Sequence, residues 1–182
     1  MKKIKLKDFA LTGEFGPVKI GMTKKQVIDL LGEPEADQDF GTGYTGLLYC
    51  WYEFFFDTDT GILDSIQNDH FQADYSNNEE MIVFKNDKIE IDTWFLRLNQ
   101  DLTLSEVRRI LNEQGISFAE EEYWGCDIIR FESGVYLDFD NRDGVWGIDE
   151  YGCVEKDDSV VIDDKESFVL NGIRHFPSMN KK

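Results

Sequence analysis

Residues 20–35, IGMTKKQVIDLLGEPE, decide how this chain is to be read. Thr23 is a natural N-cap, and Gln26 three residues on completes a capping box, in which the two residues satisfy each other's backbone N–H groups. Val27, Leu30 and Leu31 fall at i, i+3 and i+4 and make one apolar stripe. Gly32 supplies a left-handed stop, and Pro34 forbids continuation. So short a helix is marginal alone in water, so the stripe must lie on another element.

Eighty residues later, residues 100–115, QDLTLSEVRRILNEQG, repeat the design. Thr103 and Glu106 form the box; Val107, Ile110 and Leu111 form the stripe. Met22 aligns with Leu102, Thr23 with Thr103, Val27 with Val107 and Leu31 with Leu111. The segments after the two helices are also alike. Residues 47–67 read as strand, turn, strand with Gly61 at the turn, and residues 126–149 as three short strands broken at Ser133-Gly134 and at 141–144. Placing residues 54–57 (FFFD) on 137–140 (LDFD) leaves three extra residues between helix and sheet in the second half.

Alternation puts Phe54, Phe56, Leu137 and Phe139 on a buried face, with Glu53, Phe55, Tyr136 and Asp138 on the other. Each half then ends in a hairpin, turning at Asn86-Asp87 in the first and at Asn171-Gly172 in the second. The order helix, meander, helix, meander predicts an α+β fold with antiparallel sheets. The expected organisation is two tandem helix-plus-antiparallel-sheet units, residues 1–99 and 100–182. Each helix covers one face of its own sheet and leaves the other free.

The phrase VKIGMTKKQVIDLLGEPE, residues 18–35, resembles the helix signature of the small outer-membrane assembly lipoproteins, which runs Gly-Met-Thr, several residues, Val, then Leu-Leu-Gly-x-Pro. Two such units in tandem resemble the β-lactamase inhibitory protein fold. In the second copy Asn112 and Gln114 stand where the first has Gly32 and Pro34. The resemblance implies a helical segment packed on a four-stranded antiparallel sheet in each half, and a protein that acts by binding other proteins through its exposed sheet surface. Cytoplasmic proteins of this size and acidity include immunity partners of bacterial toxins.

Charge narrows the partners. Nineteen basic residues against 37 acidic ones give a formal charge of −18, which repels nucleic acid and anionic membranes and either steers basic partners or serves solubility. Cys50, Cys126 and Cys153 form no C-x-x-C pair, so neither a disulfide framework nor a zinc ribbon is expected. The N-terminal MKKIKLKDFALTGEF has a basic start but no apolar run or cleavage site behind it, and no span reaches the eighteen or so apolar residues of a membrane helix. The expectation is a soluble, cytoplasmic chain that contacts neither nucleic acid nor membrane.

Catalytic patterns are sparse. His70 and His175 are the only histidines, and neither lies at ligand spacing from a second histidine or a cysteine; a Cys50–His70 dyad is weighed against a cysteine buried among aromatics. In DTDTG, residues 57–61, the glycine comes one place early for a calcium loop, and Asn68 falls where a bidentate carboxylate is needed, which favours a hairpin turn. No Gly-x-Gly-x-x-Gly, Walker pattern or Gly-x-Ser-x-Gly elbow is present. No cofactor, metal or catalytic residue is therefore expected.

Aromatics are the stronger signal. Tyr49, Trp51 and Phe55 alternate with Cys50, Tyr52, Phe54 and Phe56, so both faces of that stretch carry rings; Tyr123, Trp124, Tyr136 and Trp146 pose the same choice in the second half. Trp and Tyr beside acids make protein-binding hot spots. The expected partner-binding set is Tyr49, Trp51, Glu53, Phe55, Tyr123, Trp124, Tyr136, Asp138 and Trp146, with the acidic runs 119–127 and 155–167 as its rim or as solvated surface. The resulting reading is a non-enzymatic protein-binding module, in its sharpest form a cytoplasmic immunity or inhibitor protein against a basic toxin. Two alternatives stand beside it: a small-ligand binder or hydrolase with a cleft between the units, and a structural homodimer.

Overall fold

The computed structural model describes residues 1–41, 43–73, 78–123, 126–140, 146–148, 154–156 and 164–177. Both expected helices form where their caps place them. α2 (Lys24–Leu31) starts on the Thr23–Gln26 capping box and α4 (Leu104–Glu113) on the Thr103–Glu106 box, with both reciprocal hydrogen bonds present in each. Each capping threonine also makes an isolated bridge, Thr23 to Ile62 and Thr103 to Val169, which seats the first turn of each helix at the edge of the sheet.

Eight strands make one antiparallel sheet. β2 (Ala36–Asp39), β3 (Tyr44–Tyr49), β4 (Tyr52–Asp57) and β5 (Leu63–Asn68) run as a meander. β7 (Ala119–Tyr123), β8 (Cys126–Arg130) and β9 (Tyr136–Asp140) make a second one, completed by β12 (Val169–His175) after an excursion through the separate pair β10 (Trp146–Ile148) and β11 (Val154–Lys156). The order across the sheet is β2-β3-β4-β5-β12-β9-β8-β7. In place of a separate sheet for each half, the two meanders therefore share one eight-stranded sheet, joined where β12 pairs with β5 through Ile173–Asn68, Arg174–Gln67 and His175–Ile66. The fold is α+β with a large antiparallel sheet.

Residues 171–172 correct the expected hairpin. Asn171 and Gly172 lie inside β12, at a register shift between Leu170 and Gly172 in its pairing with β9. The glycine is there for close approach: a Cβ at Gly172 would stand 2.7 Å from the Asp69 Cα and closer still to the Asn68 carbonyl oxygen. The same residue type that permits a tight turn here lets two backbones pass.

The helical stripes reach the core as their periodicity predicts. Val27, Leu31, Val107 and Leu111 are buried in one apolar cluster with Phe54, Phe56, Leu137 and Phe139. The N-terminal residues join the same layer: β1 (Lys2–Lys5) pairs in parallel with β6 (Ile89–Asp92), and α1 (Leu6–Thr12) buries Leu6, Phe9 and Ala10. Phe9 meets His175 at 6.2 Å and the Ala10 carbonyl accepts from Ser133 Oγ at 2.6 Å, so α1 is tied to the strand β12 and to the β8–β9 turn. α3 (Asn78–Ile82) precedes the turn at Asn86, whose side chain donates to the Leu31 carbonyl at 2.8 Å and so serves the open end of α2. No described helix is long and apolar enough to cross a membrane.

Candidate functional site

One side of the sheet carries the helices; the other carries polar groups and rings. The face of each residue is set at the β3–β4 turn. Cys50 and Trp51 form a two-residue connection, with Cys50 at φ 58°, and Tyr49 pairs across it with Tyr52. Side-chain parity resets at that turn, so Tyr49 lies with Tyr52 on the helix side while Glu53 and Phe55 point away. Tyr49 is thereby corrected from the expected binding set: it is fully buried, and its hydroxyl donates to the Gly32 carbonyl at 2.7 Å. Burial raises the Tyr49 phenol well above its ordinary range, as it does that of Tyr52.

Register carries the outer face across the seam. Glu53 lies opposite Gln67, Gln67 opposite Arg174, Arg174 opposite Tyr136 and Tyr136 opposite Arg130. These neighbours form a bonded network. Arg174 Nε and Nη2 donate to the two Asp138 oxygens at 2.9 and 3.3 Å, and Nη1 donates to Gln67 Oε1 at 2.5 Å. Gln67 Nε2 donates to Glu53 at 2.5 Å, and Asn171 Nδ2 to Asp138 at 2.8 Å. Arg174 also stands 3.4 Å from Asp69, whose other oxygen is 2.8 Å from His70 Nδ1. His70 in turn stacks on Trp51, ring centres 4.2 Å apart.

Burial sets the electrostatics. It raises Glu53 above the usual carboxylate range despite the Gln67 hydrogen bond. Burial acts in the same sense on Asp69, but the His70 hydrogen bond and the Arg174 charge prevail and hold its carboxyl low. Burial opposes the charge of Arg174 too; Asp138 and Asp69 more than compensate, and the guanidinium stays charged. The Tyr136 phenol is pushed up to about 12, chiefly by burial.

Rings cross the same face as a row. Phe40 meets Phe55 at 5.1 Å, Phe55 and Tyr136 each lie 6.5 Å from Phe176, and Tyr136 meets Tyr123 at 5.7 Å. The Arg130 guanidinium lies over both tyrosines, at 5.3 and 5.1 Å, while its Nε donates to Glu121 at 2.8 Å. Gly46 makes room for the first ring, since a Cβ there would come within 2.9 Å of Phe40 Cζ.

Of the expected binding residues, Trp51, Glu53, Phe55 and Tyr123 are partly exposed on this face, whereas Tyr136 and Asp138, expected on a free face, share it but are themselves buried. Trp124 and the side chain of Trp146 lie outside the described residues. Sequence reasoning missed Phe40, Gln67, Asp69, Arg130, Arg174 and Phe176. For Gln67, Asp69 and Arg174 the signal exists only in the register that joins β5 to β12, which pairs residues more than a hundred positions apart; Phe40 and Arg130 instead meet rings within their own meanders.

Cys50 is buried, its thiol donates to the Glu80 carbonyl, and burial pushes it up to about 11, which leaves little thiolate near neutral pH. The Asp57 carboxylate accepts from the Thr60 backbone and hydroxyl, both at 2.8 Å, as a turn residue does. No grouping of three or more metal-ligating side chains occurs among the described residues. Comparison with family models, curated proteins and solved structures finds no match for this chain.

Proposed function

We propose that the chain is a non-enzymatic protein-binding module whose interface is the sheet face opposite the helices. Its two halves are read as tandem helix-plus-sheet copies, residues 1–99 and 100–182, arranged as in the β-lactamase inhibitory protein. The isolated bridges that Thr23 and Thr103 make at corresponding positions support that reading. The partner is a basic protein, and the sharpest form of the proposal is a cytoplasmic immunity or inhibitor protein that blocks a basic toxin.

The observation that carries the proposal is the row of packed rings from Phe40 to Tyr123, flanking a carboxylate-rich network on the same face. Rigid aromatics held by neighbours offer amphipathic area at little entropic cost, and they dominate protein interfaces. The formal charge of −18 adds long-range attraction for a basic surface.

The test begins with the purified chain as bait and continues with calorimetry on any partner recovered. A basic protein bound at one to one, weakened by salt and by Phe55→Ala or Tyr123→Ala, supports the proposal. A partner indifferent to both substitutions refutes the assignment to this face. Sedimentation as a dimer that Phe55→Ala dissociates would instead give the rings a symmetric self-contact.

A further inference from the structure

Among the described residues, one carboxylate of this network lacks a cation at ion-pair distance, although the Arg174 charge still acts on it from further away. Glu53, Asp69 and Asp138 gather around a single guanidinium, and Arg174 uses its nitrogens on Asp138, Gln67 and Asp69. Glu53 receives only an amide hydrogen from Gln67, and among the described residues no lysine or arginine stands within ion-pair distance of it. It is half-buried, so water screens it less than a surface acid. Two positions before it is Trp51, joined to the same cluster through His70.

We propose that Trp51 and Glu53 form a subsite for an arginine side chain of the protein partner, with the guanidinium lying against the indole and donating to the Glu53 carboxylate. This inference rests on the protein-binding reading and supplies the chemistry of its central contact. Arginine fits better than lysine because its planar, weakly hydrated head both stacks on aromatic rings and forks onto carboxylates. The fold has already stripped part of the water from Glu53, so an arriving cation meets a partner whose desolvation is partly complete. Because burial favours the protonated acid, the contact strengthens as pH rises through the titration of Glu53.

N-acetyl-arginine methylamide at millimolar concentration is the probe, titrated into the ¹⁵N-labelled chain with its citrulline counterpart as a neutral control. Saturable shifts at the Trp51 indole N–H and the Glu53 amide are expected, with none from citrulline and a loss of about tenfold or more in affinity for Glu53→Gln. The dispersion of the variant's spectrum checks that it folds. Equal shifts from citrulline, unchanged binding by Glu53→Gln, or no shift at either residue would overturn the subsite. The two readings fail separately: a partner weakened by Phe55→Ala but indifferent to Glu53→Gln removes the subsite and leaves the interface.

Discussion

Gly172→Ala puts the seam of the sheet to the test. The added Cβ would lie 2.7 Å from the Asp69 Cα and nearer still to the Asn68 carbonyl oxygen. Both obstacles are backbone, and both belong to a segment held by the three residue pairs that join β5 to β12. Relief requires the strands to separate, so the cost falls at the high end for overpacking, about 3 kcal/mol. For a chain of this size that is a drop in Tm of about 6–12 °C. Gly46→Ala is the internal control, because its Cβ would meet the Phe40 ring, which can swing aside; less than about 1 kcal/mol is expected there. Urea denaturation followed by circular dichroism, with thermal melts alongside, measures both. If Gly172→Ala melts within about 2 °C of the parent, or costs no more than Gly46→Ala, the close-approach argument is wrong.

Arg174→Gln strands Asp138 and Asp69 without their cation and should cost about 3 kcal/mol or more at pH 7 by urea titration, whereas a loss below about 1 kcal/mol would show the network to be weakly coupled. His175 is buried against Phe9 and Gly13, and burial lowers its pKa from 6.5, so the unfolded chain takes up a proton first. Stability should then be intact above the ordinary histidine range and fall as pH drops through it; His175→Gln should flatten that slope between about pH 7.5 and 5, and an unchanged slope would refute the assignment. Iodoacetamide at about pH 8 should leave Cys50 unlabelled in the native chain and modify it once urea unfolds it, as site-resolved mass spectrometry would reveal; rapid native labelling would contradict its burial and raised pKa.

Local chemistry was legible in the sequence and long-range pairing was not. Thr23, Gln26, Thr103 and Glu106 announce two helices because a capping box is written within four residues. Phe54, Phe56, Leu137 and Phe139 announce a buried face because alternation is local too. The Cys50-Trp51 turn escaped notice because it has no Gly, Asn or Asp, and a cysteine at positive φ is uncommon. That single missed turn sent Tyr49 to the wrong face. Asn171-Gly172 carried a genuine turn signal, but the glycine answers to Asn68 and Asp69, which no local window contains. The Arg174 contacts to Gln67 and Asp138 span 107 and 36 positions, so the centre of the candidate site becomes visible only once β12 has its neighbours.

The place of β12 has a consequence for synthesis on the ribosome. Its partners β5 and β9 are complete by residues 68 and 140, yet both keep an open edge until residues 169–175 arrive. Pairing across such separations is slow to form, and open edges invite association with other chains. A nascent chain can fold its two meanders early, but their outer surfaces have no fixed relation until the central strand enters. An outer face continuous across both meanders is therefore a property that only a chain extended through residue 175 can acquire.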